Sequence, residues 1–185
     1  MIQTIVRFER PGKENTVDTL RLARQRALEL GLGHIVVASS TGFTAGQALA
    51  VFSADDVRLT IVGISRETFN SRVLEELRSG GHHVIFTTEI DYTYPEIVAN
   101  TYRKLCEGMK VTVEIASIAV DAGCVNNGET VIAVAGTGPI AFPPGGGADT
   151  AIVIAPGPSA EHGADYQIPP KQERRRVREI LCMPA

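Results

Sequence analysis

The feature that most constrains this 185-residue chain is a set of short apolar segments rich in β-branched residues, the first of which does not alternate with polar ones. They are His34-Ile35-Val36-Val37-Ala38, Val57 to Ile64, Val84-Ile85-Phe86, Thr130 to Ala135 and Thr150 to Ala155. A strand wetted on one side alternates; a continuous apolar strand is covered on both. Between these segments the period changes to that of a helix. Residues 15 to 31 set Val17, Leu20, Ala23 and Leu30 among charges, with Asn15-Thr16 offering a side-chain oxygen as N-cap and Gly31 as the stop. Thr44 to Ser53 puts Ala45, Ala48, Leu49 and Phe52 inward, and Asn70 to Ser79 does the same with Val73, Leu74 and Leu77 before Gly80-Gly81. Ile97 to Cys106 and Val111 to Ala122 read as two more helices, the second followed by Gly123.

Strands alternating with helices imply βαβ units, hence an α/β fold: a three-layer sandwich with a mostly parallel sheet. Its length and 44% hydrophobic content suit one domain over residues 1–185. The link from Gly136 to Gly147 is rich in Gly and Pro and holds no helix. A parallel crossover needs a dozen or more residues and usually a helix, so the last core strand, Thr150 to Ala155, is expected to run antiparallel to its predecessor. Pro156 to Pro170 reads as loose chain, and Val177 to Met183 as a final edge strand.

Charge and composition narrow the partners. A formal net charge of -3 gives no basic footprint for nucleic acid. The start of the chain has no basic segment followed by an apolar one, and no apolar run approaches the ~18 residues that span a bilayer, so a cytoplasmic protein without a membrane partner is expected. The cysteines, Cys106, Cys124 and Cys182, are odd in number and widely spaced, which fits reduced, mostly buried thiols.

The strongest local signal is Ser39-Ser40-Thr41-Gly42-Phe43-Thr44, between the end of a buried strand and the start of a helix. Ligands of open α/β sheets bind outside the carboxyl ends of the strands, and a helix N-terminus offers unpaired N–H groups to an anion. A cluster of hydroxyls with a glycine that lets the backbone approach makes a cradle for a phosphate monoester, whereas an N-cap needs only one hydroxyl. No Lys follows the Gly, so the turn is not an ATP-hydrolysing P-loop. A second candidate is Gly136-Thr137-Gly138 through to Asp149-Thr150, as a flap over the first turn. Gly136-x-Gly138-x-x-Ala141 formally matches a dinucleotide fingerprint, but Pro139, Pro143 and Pro144 follow where a helix must open. The third feature is Glu114 with Asp121, seven residues apart on one helix face. Asp121 falls in the last turn, where the dipole disfavours an anion, which suggests a partner. His82-His83 is expected to open a strand and point to opposite faces, so the two cannot share a metal.

These residues resemble a known family. His34 to Val37 through Ser39-Ser40-Thr41-Gly42-Phe43-Thr44-Ala45 looks like the strand, phosphate loop and helix of the pyruvate kinase C-terminal α/β domain. Val111 to Val125, Gly128 to Gly136, Ala148 to Ala151 and the closing Ile180 to Pro184 are similar to a stand-alone version of it. In pyruvate kinase the catalytic centre lies in a separate (β/α)₈ barrel, which needs about 250 residues, so the resemblance implies a phosphate loop but no pyruvate kinase activity. It implies a cradle of Ser39, Ser40, Thr41, Gly42 and Thr44, closed by the loop after the fourth strand, and an FMN-type ligand in preference to a sugar bisphosphate. The leading expectation is therefore a domain that binds a phosphorylated small molecule. The alternatives are an enzyme of unknown reaction, with Glu114 or Asp121 as general base, and a regulatory or structural subunit that pairs through its edge strand, as in a homo-oligomer.

Overall fold

The computed structural model describes residues 4–52, 57–136, 146–162 and 176–185. Its elements, in chain order, are β1 (Val6–Phe8), α1 (Thr16–Leu30), β2 (His34–Ala38), α2 (Phe43–Val51), β3 (Arg58–Gly63), α3 (Ser71–Ser79) and β4 (His83–Phe86). Then follow α4 (Glu96–Arg103), α5 (Glu107–Asp121), β5 (Val131–Ala135), β6 (Thr150–Ala155) and β7 (Arg176–Pro184). Short 3₁₀ turns at Lys13–Asn15, Thr87–Glu89 and Ser159–His162 fill three of the connections.

The strands form one sheet in the order β1-β7-β6-β5-β2-β3-β4. Five strands expected from the apolar runs are present, and β6 is antiparallel to β5, with Ala133 opposite Ile152. The Gly- and Pro-rich link after β5 has no helical sequence pattern with which to build a parallel crossover, in keeping with the reversal of direction there. Side-chain alternation sorts the two faces. Ile35, Val37, Ile132 and Val134 join Leu20, Ala23, Ala45, Ala48 and Leu77 of α1, α2 and α3 in one core. Val36, Val131, Ala133 and Ile152 join Met109, Val113, Ala116 and Ile118 of α5 in the other. Helices cover both faces, so the architecture is a three-layer α/β sandwich with a mostly parallel sheet.

Four local expectations differ from the structure. Strand β7 is not an edge: it lies between β6 and β1, with Val6 opposite Cys182 in a parallel pair, so β1 and β4 are the edges. A three-residue strand carries too little periodicity to announce itself, and β1 therefore hid the true edge. The Asn15 side chain does not cap α1; its Nδ2 donates to the Arg10 carbonyl at 2.7 Å, because the preceding 3₁₀ turn already holds Asn15 in a helical conformation. Helix α5 starts at Glu107 rather than residue 111, with the Cys106 sulfur accepting from the Met109 N–H at 3.3 Å. Part of the segment expected to be loose, Ser159–His162, is a 3₁₀ turn packed on α5. Of the cysteines, Cys182 is buried while Cys106 and Cys124 are partly exposed, and all three are free.

Candidate functional site

The chain reverses its direction of travel across the sheet at β2. From β2 it steps to β3 and β4, then returns to place β5 on the other side of β2. Such a switch point opens a crevice beyond the carboxyl ends of the strands. Here it is a cavity of about 420 Å³, floored by Ala38, Val62, Gly63, Ile64 and Gly136 at the strand ends, with Thr87 beside them. One wall is the turn into α2, represented by Ser39, Ser40, Thr41, Phe43 and Thr44; the other is α5, represented by Glu107, Lys110, Val111, Glu114, Ile115 and Ile118. Lys13, Tyr92, Gly146 and Gly147 complete the lining.

The turn is built to expose donors. Gly42 sits at φ 90°, in the left-handed region, and a Cβ there would come within 3.1 Å of the Asn70 Cβ and 3.3 Å of the Phe69 ring. Only glycine meets both conditions without strain. The β3–α3 loop braces the turn from outside, through the Asn70 N–H to the Thr41 carbonyl at 3.0 Å. Inside, the Ser39 hydroxyl accepts from the Ala45 N–H at 3.2 Å and so supplies one orphan donor of the helix with its acceptor. Gly42, in the N-cap position, has no side chain to do this. Ser39 therefore acts as the capping hydroxyl, from three residues further back. Among the described residues, no hydrogen bond engages the hydroxyls of Ser40, Thr41 or Thr44, although Thr44 is only 3% exposed. Thr44 lines the cavity in the first turn of α2, where a hydroxyl can hydrogen-bond whatever enters.

Lysine enters this wall from a distant part of the chain. Lys13, on the 3₁₀ turn before α1, lines the cavity and sets its ammonium 4.0 Å from the centre of the Phe43 ring. Its position is fixed by a stitched pair of segments. The Gly12 N–H donates to the Asp149 carboxylate at 3.2 Å, the Ala148 N–H donates to the Thr16 hydroxyl at 3.0 Å, and Thr16 donates to the Lys13 carbonyl at 2.7 Å. Gly147, at φ 82°, runs so close beneath that a Cβ would meet the Lys13 Cα at 2.6 Å.

On the opposite wall, Lys110 and Glu114 form an i,i+4 ion pair, both largely buried. The Tyr92 hydroxyl reaches the other Glu114 oxygen at 3.4 Å, and burial together with the Glu114 charge pushes the Tyr92 phenol up from its ordinary value. Glu107, the third charged group of this wall, accepts from Arg103 Nε at 2.8 Å.

Residues 18–154, well over half of the chain, match the family model described as pyruvate kinase, alpha/beta domain. The chain belongs to the pyruvate kinase α/β domain family. In this member the matched stretch runs from the first turn of α1 to the end of β6 and includes every strand that floors the cavity.

The residues singled out in the sequence fall into three groups. Ser39, Ser40, Thr41, Phe43, Thr44, Gly136 and Glu114 line the cavity of this pyruvate kinase α/β domain, and Gly42 holds the turn in shape. Asp149 and Thr150 do not line it. Both are buried, with the Thr150 hydroxyl donating to Asp149 at 2.9 Å, and they act on the site through the Gly12 segment. Thr137 and Gly138 lie outside the described residues. Asp121 is not brought to Glu114 in the cavity; its two oxygens accept from the Ser159 N–H at 2.9 and 3.2 Å, which is the partner its position in the last turn of α5 called for. His82 likewise has a backbone task, its Nδ1 accepting from the Leu59 N–H at 3.2 Å. Lys13, Tyr92, Glu107 and Lys110 were not singled out, and the only hint of them was the amphipathic placement of the last two around Val111.

Proposed function

We propose that this domain binds a phosphorylated small molecule of the flavin mononucleotide type in the cavity at the switch point, with the phosphate at the 39–44 turn. The observation that carries the reading is Thr44: a residue 3% exposed that lines the cavity one residue into α2, and whose hydroxyl has no protein partner among the described residues. The N–H groups of the first helical turn and the Lys13 ammonium supply the positive potential that a phosphate dianion seeks. A volume of about 420 Å³ lies within the range of small-molecule pockets, and Val62, Ile64, Val111, Ile115 and Ile118 give a ring system an apolar bed. Gly136, Gly146 and Gly147 add backbone to the lining beside that bed.

The test is a pair of titrations of the purified protein, with FMN and with riboflavin, followed by flavin fluorescence. Tight FMN binding and much weaker riboflavin binding supports a phosphate-dependent site. Replacing Thr41 and Thr44 together by Ala should then weaken FMN far more than riboflavin. Equal weakening of both ligands would remove the turn as the phosphate site.

A further inference from the structure

The two walls of the cavity differ in charge, and the difference bears on which phosphate esters can enter. Among the described residues, four charged side chains line it, of which Lys13 lies with the hydroxyl turn and Glu107, Lys110 and Glu114 lie on α5. The Lys110 ammonium is committed to Glu114, and the two side chains are 13% and 14% exposed. The cation that holds Glu107, Arg103, is not among the lining residues. The α5 wall thus presents two carboxylates, each held by its own cation, and among the described residues no cation to spare.

We propose that this wall makes the site selective for a singly phosphorylated ligand whose far end donates hydrogen bonds, and that it rejects a bisphosphate. The proposal rests on the phosphate reading of the 39–44 turn given above. A ligand held there by its phosphate must reach across the apolar bed to α5. A hydroxyl or ring N–H arriving at α5 finds acceptors in Glu107 and Glu114. The long 3.4 Å bond from Tyr92 to Glu114 is one that a ligand donor can replace with little loss. A second phosphate arriving at the same place meets two carboxylates whose cations, Arg103 and Lys110, are already engaged. Among the described lining residues Lys110 is the cation of that wall, and drawing it away would strand the largely buried Glu114 carboxylate. Without a spare cation to meet it, the second phosphate repels both carboxylates in a partly dry cavity.

The experiment is calorimetric titration of the full chain with inorganic phosphate, FMN, a hexose 6-phosphate and the corresponding hexose 1,6-bisphosphate. Each is repeated with Glu107→Lys and, as a milder change, Glu107→Gln. The wild-type protein should bind FMN and take the bisphosphate at least about tenfold more weakly than the monophosphate. Glu107→Lys should raise the ratio of bisphosphate to inorganic phosphate affinity by about tenfold, with Glu107→Gln intermediate, a gain that misfolding cannot produce. A wild-type preference for the bisphosphate, or an unchanged ratio in Glu107→Lys, overturns the selectivity while leaving the phosphate site in place. If inorganic phosphate, FMN and both sugar phosphates all fail to bind, the phosphate reading itself falls, and the selectivity falls with it.

Discussion

The Lys13 ammonium lies 4.0 Å from the centre of the Phe43 ring, thirty residues further along the chain, and so brings a cation to a turn whose own sequence has none. A Lys inside the turn would have marked it as a P-loop; here the charge comes from another segment. Lys13→Met keeps most of the aliphatic packing on Phe43 and removes the charge. It is expected to weaken FMN binding about tenfold at low salt, with a smaller loss at high salt, where the wild-type attraction is already screened. Fluorescence titrations at two ionic strengths would check this, and a salt-independent loss would count against an electrostatic role.

Thr44→Val separates function from stability. The hydroxyl it removes belongs to a cavity-lining residue and has no protein partner among the described residues, so the fold should lose little. Thermal unfolding should show stability within about 1 kcal/mol of wild type, or slightly higher. Affinity for a phosphorylated ligand should fall about tenfold, the usual consequence of losing a hydrogen bond to a charged group. A large drop in stability would mean that the hydroxyl serves the fold.

Gly147→Ala strikes the scaffold beneath Lys13. The residue has φ 82°, and its new Cβ would meet the Lys13 Cα at 2.6 Å and the Thr16 hydroxyl at 2.5 Å. Backbone cannot give way as a side chain can, so a loss of about 2 kcal/mol or more is expected by denaturant unfolding, together with weaker ligand binding. Gly31, where an added Cβ meets nothing within 4 Å, is the control: Gly31→Ala carries only the strain of φ 63° and should leave binding alone.

Asp121→Asn should affect stability but not the site. It keeps one acceptor for the Ser159 N–H; losing the charge weakens that hydrogen bond by about 1 kcal/mol, partly offset by relief of the unfavourable helix dipole. Ligand affinity should not change, since Asp121 is not in the cavity lining. A parallel loss of affinity would connect the Ser159–His162 turn to the site through Thr93, whose N–H donates to the Ser159 hydroxyl at 3.1 Å.

Stability should fall on mild acidification. Burial holds His34, His82 and His162 below their ordinary value of 6.5. Above 6.5 these rings are neutral in both folded and unfolded chains, and their contribution is fully present. As the pH drops, the unfolded chain takes up protons first, so stability declines until the folded-state values are passed. His162 accepts or donates one hydrogen bond, with the Ser117 hydroxyl at 2.9 Å, and packs edge-on against Tyr94. Melting temperatures recorded from pH 7.5 to 5 should fall, and His162→Gln should flatten part of that slope. A midpoint independent of pH across this window would show that the burial of these rings does not matter to folding.

The order of strands and helices from β2 to β6, the antiparallel β6 and the position of the hydroxyl turn were all legible in the sequence. Each is a local property: the period of apolar residues, the Gly and Pro content of a link, or a cluster of Ser, Thr and Gly at a strand-to-helix junction. What the turn faces was not legible. Lys13, Tyr92 and the α5 carboxylates reach the cavity because β5 returns to the far side of β2, which carries α5 over the carboxyl ends of the strands and brings the 12–16 and 146–149 segments together. Asp149 and Thr150 read as ligand groups because polar residues after a strand often are, yet tertiary contacts bury them as supports for Gly12 and each other. The edge of the sheet was equally a matter of the whole: β1 spans three residues, too few for a pattern, and only its pairing with β7 makes it a strand. The sequence by itself determined which segments form strands and helices and where the hydroxyl turn lies. Which charges meet there was decided by the tertiary structure, because long-range neighbours follow from topology and no local period encodes them.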